Sequence, residues 1–224
     1  MGLLIFQNDS CLVINKLPGE SSESPLVEGA GDFIFPVHRL DTPVSGCLLI
    51  AKTQGAATFL GSAFKRHNVK KTYWAIIEKP EKEFPEEGEL VNWIKSNPRD
   101  NKSFALPWSE TPPLQKSRGE PKPKKAVLQY RVIGKGENYL FLEIDLVTGR
   151  HHQIRAQLAA IGLHVKGDLK YGARRSEKAG GIRLHAYSLD FPNPLNAAEI
   201  ITVKAPPPLK DNLWEAFESS ILRA

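Results

Sequence analysis

Cysteine is scarce in this chain of 224 residues, which contains only Cys11 and Cys47. Both lie in apolar stretches typical of buried strands, so we interpret them as small core residues rather than as a disulfide or metal pair. The sequence also has no secretory signal pattern and no apolar run of about 18 residues, the length that a membrane helix needs. We therefore expect a reduced, cytoplasmic protein that does not cross a membrane.

Acidic residues are missing from one long part of the chain, since none occurs between Asp41 and Glu78 although five Lys and Arg residues do. The stretch from Thr148 to Arg183 likewise contains eight Lys and Arg residues but only two acids. The formal net charge is only +5, so the distribution of charge is more informative than its sum. A surface built from these segments suits a polyanion such as RNA, and an ordinary mixed, solvated surface is the alternative that charge alone leaves open.

The hydrophobic pattern predicts a domain that mixes strands and helices. Short alternating or continuous apolar runs predict strands near 3–6, 12–15, 47–52, 71–78, 126–133, 139–147, 183–191 and 199–205. Apolar residues at helical spacing predict a helix capped by Thr53, a helix over 151–161 and a closing helix capped by Asp211. The segment from 95 to 125 is rich in Lys and Pro with little periodicity, and we predict that it is a mobile basic loop or insertion.

Two charged side chains stand out against this pattern. Asp41 lies in a turn that Pro43 and Gly46 mark, directly before a buried strand, which is a position that often carries chemistry. The alternative is a turn residue that only accepts backbone hydrogen bonds. In the helix over 151–161, Arg155 borders the predicted buried stripe of Ile154, Leu158 and Ile161, so its guanidinium needs a partner.

Five blocks of sequence occur together, and they are HRLD at 38–41 with Ser45-Gly46, KTYWA at 71–75, TGRHHQIR at 148–155, GLHVKGD at 162–168 with Tyr171-Gly172, and RLHA at 183–186 with Leu189 and Phe191. In this order and spacing they resemble the RluA-type family of RNA pseudouridine synthases. The likeness covers most of residues 3–205. Such enzymes break the bond between ribose C1′ and uracil N1, turn the base, and join C5 to C1′.

The resemblance implies roles for four side chains in the predicted pocket. Asp41 corresponds to the essential carboxylate, which either attacks C1′ or removes the 2′ hydrogen. Tyr73 corresponds to the tyrosine that stacks on the uracil and takes part in proton removal from C5, and Arg155 to the arginine that pairs with the aspartate. Leu184 corresponds to the apolar residue that closes the pocket. Taken without the neighbouring motifs, Tyr73 is better explained as an ordinary core tyrosine, and Leu184 is indistinguishable from an ordinary core residue of a strand.

Other side chains are predicted to hold RNA rather than to react. Arg39 is expected at the place where the target base leaves its stack. The remaining candidates are Lys52, Lys71 and Arg150 for phosphate contacts or local structure near the uridine, and Lys65, Arg66, Arg174 and Arg175 along the RNA backbone. No cofactor is expected because the reaction involves no net oxidation, and no metal because His38, His152 and His185 lack carboxylate or Cys partners at a ligand spacing.

We therefore expect an α+β protein: one pseudouridine synthase catalytic domain over residues 1–224, with a central mixed, mainly antiparallel sheet flanked by helices and a basic RNA-binding cleft. A separate N-terminal RNA-binding domain is not expected, and the protein is expected to act as a monomer on ribosomal or transfer RNA. Three departures from the family pattern are Val44 in place of Thr, His151 in place of Thr or Ser, and the altered loop at 163–166.

Two competing functions stay open at this stage. The first is a catalytically silent RNA-binding or RNA-chaperone protein on the same fold, which would not need the carboxylate of Asp41. The second is a hydrolase that uses Asp41 with a histidine, although the sequence contains no nucleophile elbow or paired-carboxylate motif that supports it.

Overall fold

The computed structural model describes residues 2–24, 34–114, 119–208 and 211–221. Its strands are β1 (Leu3–Gln7), β2 (Cys11–Lys16), β3 (Phe35–Pro36), β4 (Ser45–Ala51), β5 (Lys70–Glu78), β6 (Glu87–Asn97), β7 (Lys102–Pro107), β8 (Lys124–Lys135), β9 (Tyr139–Leu146), β10 (Leu184–Asn193) and β11 (Asn196–Lys204). Its α-helices are α1 (Gln54–Lys65), α2 (Gln153–Ala160) and α3 (Asn212–Ile221). None of these helices has the length and apolar content that crossing a membrane requires.

The strands form one sheet in the order β1-β2-β4-β10-β5-β9-β8-β6-β7, with β11 paired to β10 and β3 paired to β4. The pair of β4 and β10 is parallel and the other pairs are antiparallel, which confirms the predicted mixed, mainly antiparallel sheet. Gly46 makes the parallel pair possible, because it has φ +115° and a Cβ there would lie 2.3 Å from the carbonyl oxygen of Ala186. The turn that carries Asp41 is thereby placed beside β10.

Both faces of the sheet are covered, as the alternation in β5 illustrates. Tyr73 and Ile77 join the large cluster that includes Ile154 and Leu158 of α2. Trp74, which points to the other face, packs with Phe217 of α3. The predicted opposite orientation of Tyr73 and Trp74 is thus confirmed.

The predicted loop at 95–125 is wrong for a large part of its length. Residues 95–97 complete β6, Lys102–Pro107 form β7, and β8 begins at Lys124. The β7 strand pairs with β6 from Asn97↔Lys102 to Asn92↔Pro107, so its backbone groups are satisfied despite the weak apolar pattern. Residues 108–114 and 119–123 form no helix or strand, residues 115–118 lie outside the described ranges, and mobility of the segment stays a prediction.

The helix α2 is shorter than predicted. It starts after His152, which has the left-handed φ of 53°, and it ends before Ile161. Ile161 is therefore 44% exposed, which contradicts its predicted place in the buried stripe, while Ile154 and Leu158 are buried as expected. Leu163 fills the core instead, because the chain turns at Gly162 and the Leu163 N–H donates back to the Leu158 carbonyl.

Candidate active site

A cavity of about 570 Å³ lies at the α2 face of the sheet, where the Asp41 turn, β5, the loop before α2 and β10 meet. Most of the predicted site residues line it together, and these are Arg39, Asp41, Lys65, Lys71, Tyr73, Arg150, Arg155 and Leu184. The sequence blocks that contain them are far apart in the chain. The fold therefore brings a carboxylate, a phenol and several cations to one cavity.

The turn that presents Asp41 is fixed by the protein beneath it. The Val44 N–H donates to the Asp41 carbonyl at 2.9 Å, which closes the turn. The ammonium of Lys16, a fully buried residue, donates to the Thr42 carbonyl at 3.2 Å, and it also donates to the carbonyls of Leu17 and Glu20. Burial lowers the pKa of Lys16 to about 8, although the charges of Glu20 and Asp41 act in the opposite direction. The Asp41 side chain is left 18% exposed on this rigid support.

Arg155 joins Asp41 to a second carboxylate. Its Nη1 donates to Asp41 Oδ2 at 3.0 Å, while Nε and Nη2 donate to Asp168 Oδ2 and Oδ1 at 2.6 and 2.8 Å. The guanidinium therefore grips Asp168 with two hydrogen bonds, and Asp41 receives a single bond. Burial acts to lower the pKa of Arg155, but the hydrogen bonds and charges of Asp168 and Asp41 outweigh it, so that this pKa is raised.

Asp168 was missed as a site residue in the sequence. Its side chain is 2% exposed, so it is a buried carboxylate whose guanidinium partner also holds Asp41. The available signal was weak: Asp168 is one of only two acids in the basic stretch from Thr148 to Arg183. A buried charge in such a stretch needs a cation nearby, but several cations were equally eligible.

His152 also touches the carboxylate of Asp41, although the histidines received no role from sequence. Its Nε2 lies 3.6 Å from Asp41 Oδ2, and its Nδ1 lies 3.0 Å from the Tyr171 hydroxyl. Burial, aided by the charge of Arg155, lowers the pKa of His152 to about 3, so the ring is neutral near neutral pH. The contact with Asp41 is therefore dipolar rather than ionic. The Tyr171 hydroxyl accepts a bond from the Ser103 N–H at 2.8 Å, which ties this group to β7.

Tyr73 and Leu184 form the apolar part of the cavity wall. Tyr73 is 8% exposed and Leu184 3% exposed, and both line the cavity. Burial and the charge of Asp41 raise the pKa of Tyr73, which keeps the phenol protonated. They sit on adjacent strands, because Leu184 on β10 pairs with Ala75 on β5. Both residues therefore lie at the cavity, and their roles stay predictions.

Some predicted RNA contacts lie away from the cavity. The Lys52 ammonium donates to the Asn8 carbonyl at 2.9 Å, so it fastens the first hairpin instead. Arg174 lies 3.9 Å from both Glu78 and Glu81, and neither Arg66 nor Arg175 lines the cavity. Position near a motif in sequence does not determine whether a side chain reaches the cavity.

The departures from the family pattern are accommodated locally. Val44 is buried in the large core cluster, where an apolar side chain is favoured. His151 stacks on His152 at a centroid distance of 3.8 Å, and its ring nitrogens contact Ser103 Oγ at 2.9 Å and Asn101 Oδ1 at 3.1 Å. In the altered loop, His164 Nδ1 contacts the Tyr171 carbonyl oxygen at 2.7 Å.

The histidines named as possible ligands are engaged in structural bonds. His38 Nε2 accepts a bond from the Leu49 N–H at 2.8 Å, and the His185 nitrogens contact Ser45 Oγ and the Ala205 carbonyl oxygen, both at 2.9 Å. Over the ranges that the structure describes, no group of three or more His, Cys, Asp and Glu residues has an arrangement able to hold a metal ion.

Comparison with known proteins adds a family to this geometry. A family model described as RNA pseudouridylate synthase matches residues 14–160. An uncharacterized RNA pseudouridine synthase of Zymomonas mobilis is 34% identical over 69% of this chain, and one of Synechocystis is 30% identical over 92%. The ribosomal large subunit pseudouridine synthase C of Rickettsia conorii is 35% identical over 75% of the chain. The chain spans 65%, 63% and 56% of the length of these three relatives, respectively.

Solved structures support the same fold. The human RNA pseudouridylate synthase domain containing 1 aligns with a TM-score of 0.75 at 23% identity, covering 98% of this chain and 87% of that one. The human RNA pseudouridylate synthase domain containing 4 aligns with a TM-score of 0.73 at 20% identity, covering 98% and 93%. At this identity the likeness concerns the fold, and it confirms the predicted mixed sheet flanked by helices.

Proposed function

The chain belongs to the RNA pseudouridylate synthase family, and from that premise we propose that it isomerises uridine in RNA to pseudouridine with Asp41 as the essential carboxylate. The observation that carries the proposal is the cavity itself. Its lining includes one carboxylate, Asp41, to which Arg155 donates a hydrogen bond at 3.0 Å, and one buried tyrosine, Tyr73. A protein that only binds RNA has no need for a carboxylate held in this way, since a negative charge repels the RNA backbone.

The residues around Asp41 match what the reaction demands. Attack on C1′ and removal of the 2′ hydrogen both use an ionised carboxylate, and the Arg155 guanidinium offsets its charge and fixes its direction. His152 is neutral because its pKa is lowered to about 3, so it does not compete with Arg155 as a cation. Tyr73 and Leu184 provide the apolar surface on which a uracil ring would stack and turn.

The substrate in this proposal is a specific uridine in structured RNA, ribosomal or transfer RNA. The basic residues at the cavity rim, Arg39, Lys65 and Arg150, would hold the strand while the target base enters. Arg39 is mostly exposed and pairs with Glu23 at 2.9 Å, a surface contact that phosphate can displace at little cost. One copy of the chain carries all of these groups, so we propose that the monomer is active. We also propose that it acts in the cytoplasm.

Release of hydrogen from uracil C5 tests the proposal. Total RNA from cells that lack the protein is labelled with tritium at uracil C5 and incubated with wild type, Asp41→Asn or Asp9→Asn. The last variant is a matched control, because Asp9 is exposed and lies outside the cavity. We expect tritium release by wild type and Asp9→Asn and none by Asp41→Asn. Binding of RNA by wild type without release would favour the silent RNA-binding alternative.

A further inference from the structure

Lys71 is a buried cation that lacks a partner. It is 9% exposed and lines the cavity from β5, two residues before Tyr73 and on the same face of the strand. Among the described residues, its ammonium has no hydrogen bond and no ion pair. The other deeply buried lysine, Lys16, donates to three carbonyl oxygens. Lys71 is therefore a largely buried cation whose ammonium faces the cavity without a protein partner, whereas buried charges are usually paired.

The ionisable groups around Lys71 do not compensate its positive charge. Burial and then the charge of Arg150 lower the pKa of Lys71 to about 8. His38, whose own pKa is lowered to about 3 by burial and by Lys71, is neutral. The nearest acid in the strand pairing, Asp145, lies on the other face of the sheet, where it accepts a bond from Thr72 at 2.7 Å and pairs with Lys70 at 3.7 Å.

The space beside Lys71 is open toward the loop that precedes α2. A Cβ built on Gly149 would lie 3.6 Å from the Lys71 ammonium, so no side chain separates the two. The next residue, Arg150, is anchored by a bond from its Nε to the Lys125 carbonyl at 2.9 Å, which leaves its terminal nitrogens without a described partner. Two cations thus line one wall of the cavity with no carboxylate between them.

We propose that Lys71 and Arg150 form a phosphate subsite of the cavity, which binds one phosphodiester group of the RNA strand beside the target uridine. Two residues along a strand span about 7 Å, so Lys71 lies within the reach of a single nucleotide from Tyr73. A phosphate provides the charge and the acceptor oxygens that the buried ammonium lacks. The identity of the bound nucleotide as the target uridine rests on the proposed function, whereas the anion subsite rests on the unpaired cation.

Neutral linkages in the RNA test this subsite without any turnover. A short single-stranded RNA with one uridine is made with a methylphosphonate, which carries no charge, on the 5′ side or on the 3′ side of that uridine. Its affinity is measured for Asp41→Asn and for Asp41→Asn combined with Lys71→Met, Lys71→Arg or Lys70→Met. Lys70 is the matched control, because it is the neighbouring lysine, is 61% exposed and points away from the cavity.

We expect one of the two neutral linkages to weaken binding about tenfold when Lys71 is present, which is the strength of a charge-assisted hydrogen bond. The same linkage should weaken binding less than about twofold with Lys71→Met, and the loss should be partly regained with Lys71→Arg. With Lys70→Met the full tenfold loss should remain. Equal losses in all four proteins would overturn the subsite.

Inorganic phosphate separates the two possible sources of the anion. If phosphate competes with RNA only when Lys71 is present, and the neutral linkage abolishes that competition, the RNA backbone is the natural occupant. Binding of phosphate without any dependence on the linkages would overturn the assignment to RNA. Failure of the proposed function gives a different result. If the effect of the neutral linkage depends on Lys71 but no C5 hydrogen is released, the subsite stands and the proposed function fails. If C5 hydrogen is released but the effect of the linkage does not depend on Lys71, only the subsite fails.

Discussion

The two buried cations of the cavity wall, Arg155 and Lys71, differ in what surrounds them. Arg155 donates three hydrogen bonds to two carboxylates, whereas Lys71 has no partner in the part of the chain that the structure describes. Burial of a charge is tolerated when partners replace the lost water. At the Arg155 end of the cavity, the protein itself supplies the partners of the cation, and one of them is Asp41. At the Lys71 end, we propose that an anionic ligand supplies the missing partner.

Because of this difference, removal of the cation should change stability and function in the same direction at Arg155 and in opposite directions at Lys71. Removing a cation that holds two carboxylates harms both the fold and the chemistry. Removing a cation that has no partner relieves the fold and harms binding alone. Variants of the two residues therefore separate the two ends of the cavity.

The largest effect is expected at Arg155. Arg155→Met leaves the buried carboxylate of Asp168 without a cation, which should lower the free energy of unfolding by about 3 to 5 kcal/mol in urea melts. Adding Asp168→Asn should restore part of that loss, because the uncompensated charge is then gone. A loss below about 1 kcal/mol, or no coupling between the two sites, would mean that Arg155 does not hold these carboxylates.

An effect of opposite sign is expected at Lys71. The pKa of Lys71 is lowered from 10.5 to about 8, so its charged form destabilises the fold. Lys71→Met should therefore raise the free energy of unfolding by roughly 1 to 3 kcal/mol near neutral pH. Lys70→Met, the exposed control, should change it by less than about 0.5 kcal/mol. A clear loss of stability in Lys71→Met would contradict the reading of Lys71 as an unpaired cation.

The pH dependence of that gain has a definite sign. Because the folded pKa lies below the unfolded value, the penalty in wild type is complete below about pH 8. It disappears as the pH rises from about 8 to 10.5, since Lys71 is then neutral in the folded protein. The advantage of Lys71→Met in urea melts should shrink over that range. An advantage that is constant up to the upper limit would show that packing, not charge, is its cause.

The smallest effect is expected at the rim, where the structure separates two neighbouring cations. Lys65 lines the cavity and Arg66 does not. Lys65→Ala should lower the slope of log affinity for RNA against log salt by about 1, because one phosphate contact is lost. Arg66→Ala should leave the slope unchanged. Equal slopes for the two variants would mean that the RNA path does not follow the cavity rim.

The sequence was sufficient to locate Asp41, Tyr73 and Arg155, because each lies in a local motif whose neighbours fix its place on a strand, a turn or a helix. The same local logic located the faces of β5. It did not reveal that the Arg155 fork grips Asp168, since the choice between two carboxylates depends on how a loop folds back over α2. Partner choice among charges is a property of tertiary packing.

Two further errors have the same origin. Lys52 is predicted to contact phosphate or to support local structure near the uridine, but it follows the far end of β4 and bonds to the Asn8 carbonyl. The sequence predicts a loop where β7 forms, because the order of this strand comes from its pairing with β6 and its own composition carries little strand signal. A local sequence pattern does not show which distant residue or strand will become the partner.

Single-turnover release of C5 hydrogen, measured over a range of enzyme concentrations, tests the division of the cavity most directly. Asp41→Asn should lower the saturating rate by at least about 10³-fold, because it removes the carboxylate that we propose to be essential. Lys71→Met should instead raise the half-saturating enzyme concentration about tenfold, with a much smaller loss in the saturating rate. If both variants lower the saturating rate alike and leave half-saturation unchanged, the two ends do not have separate tasks, and the account is contradicted.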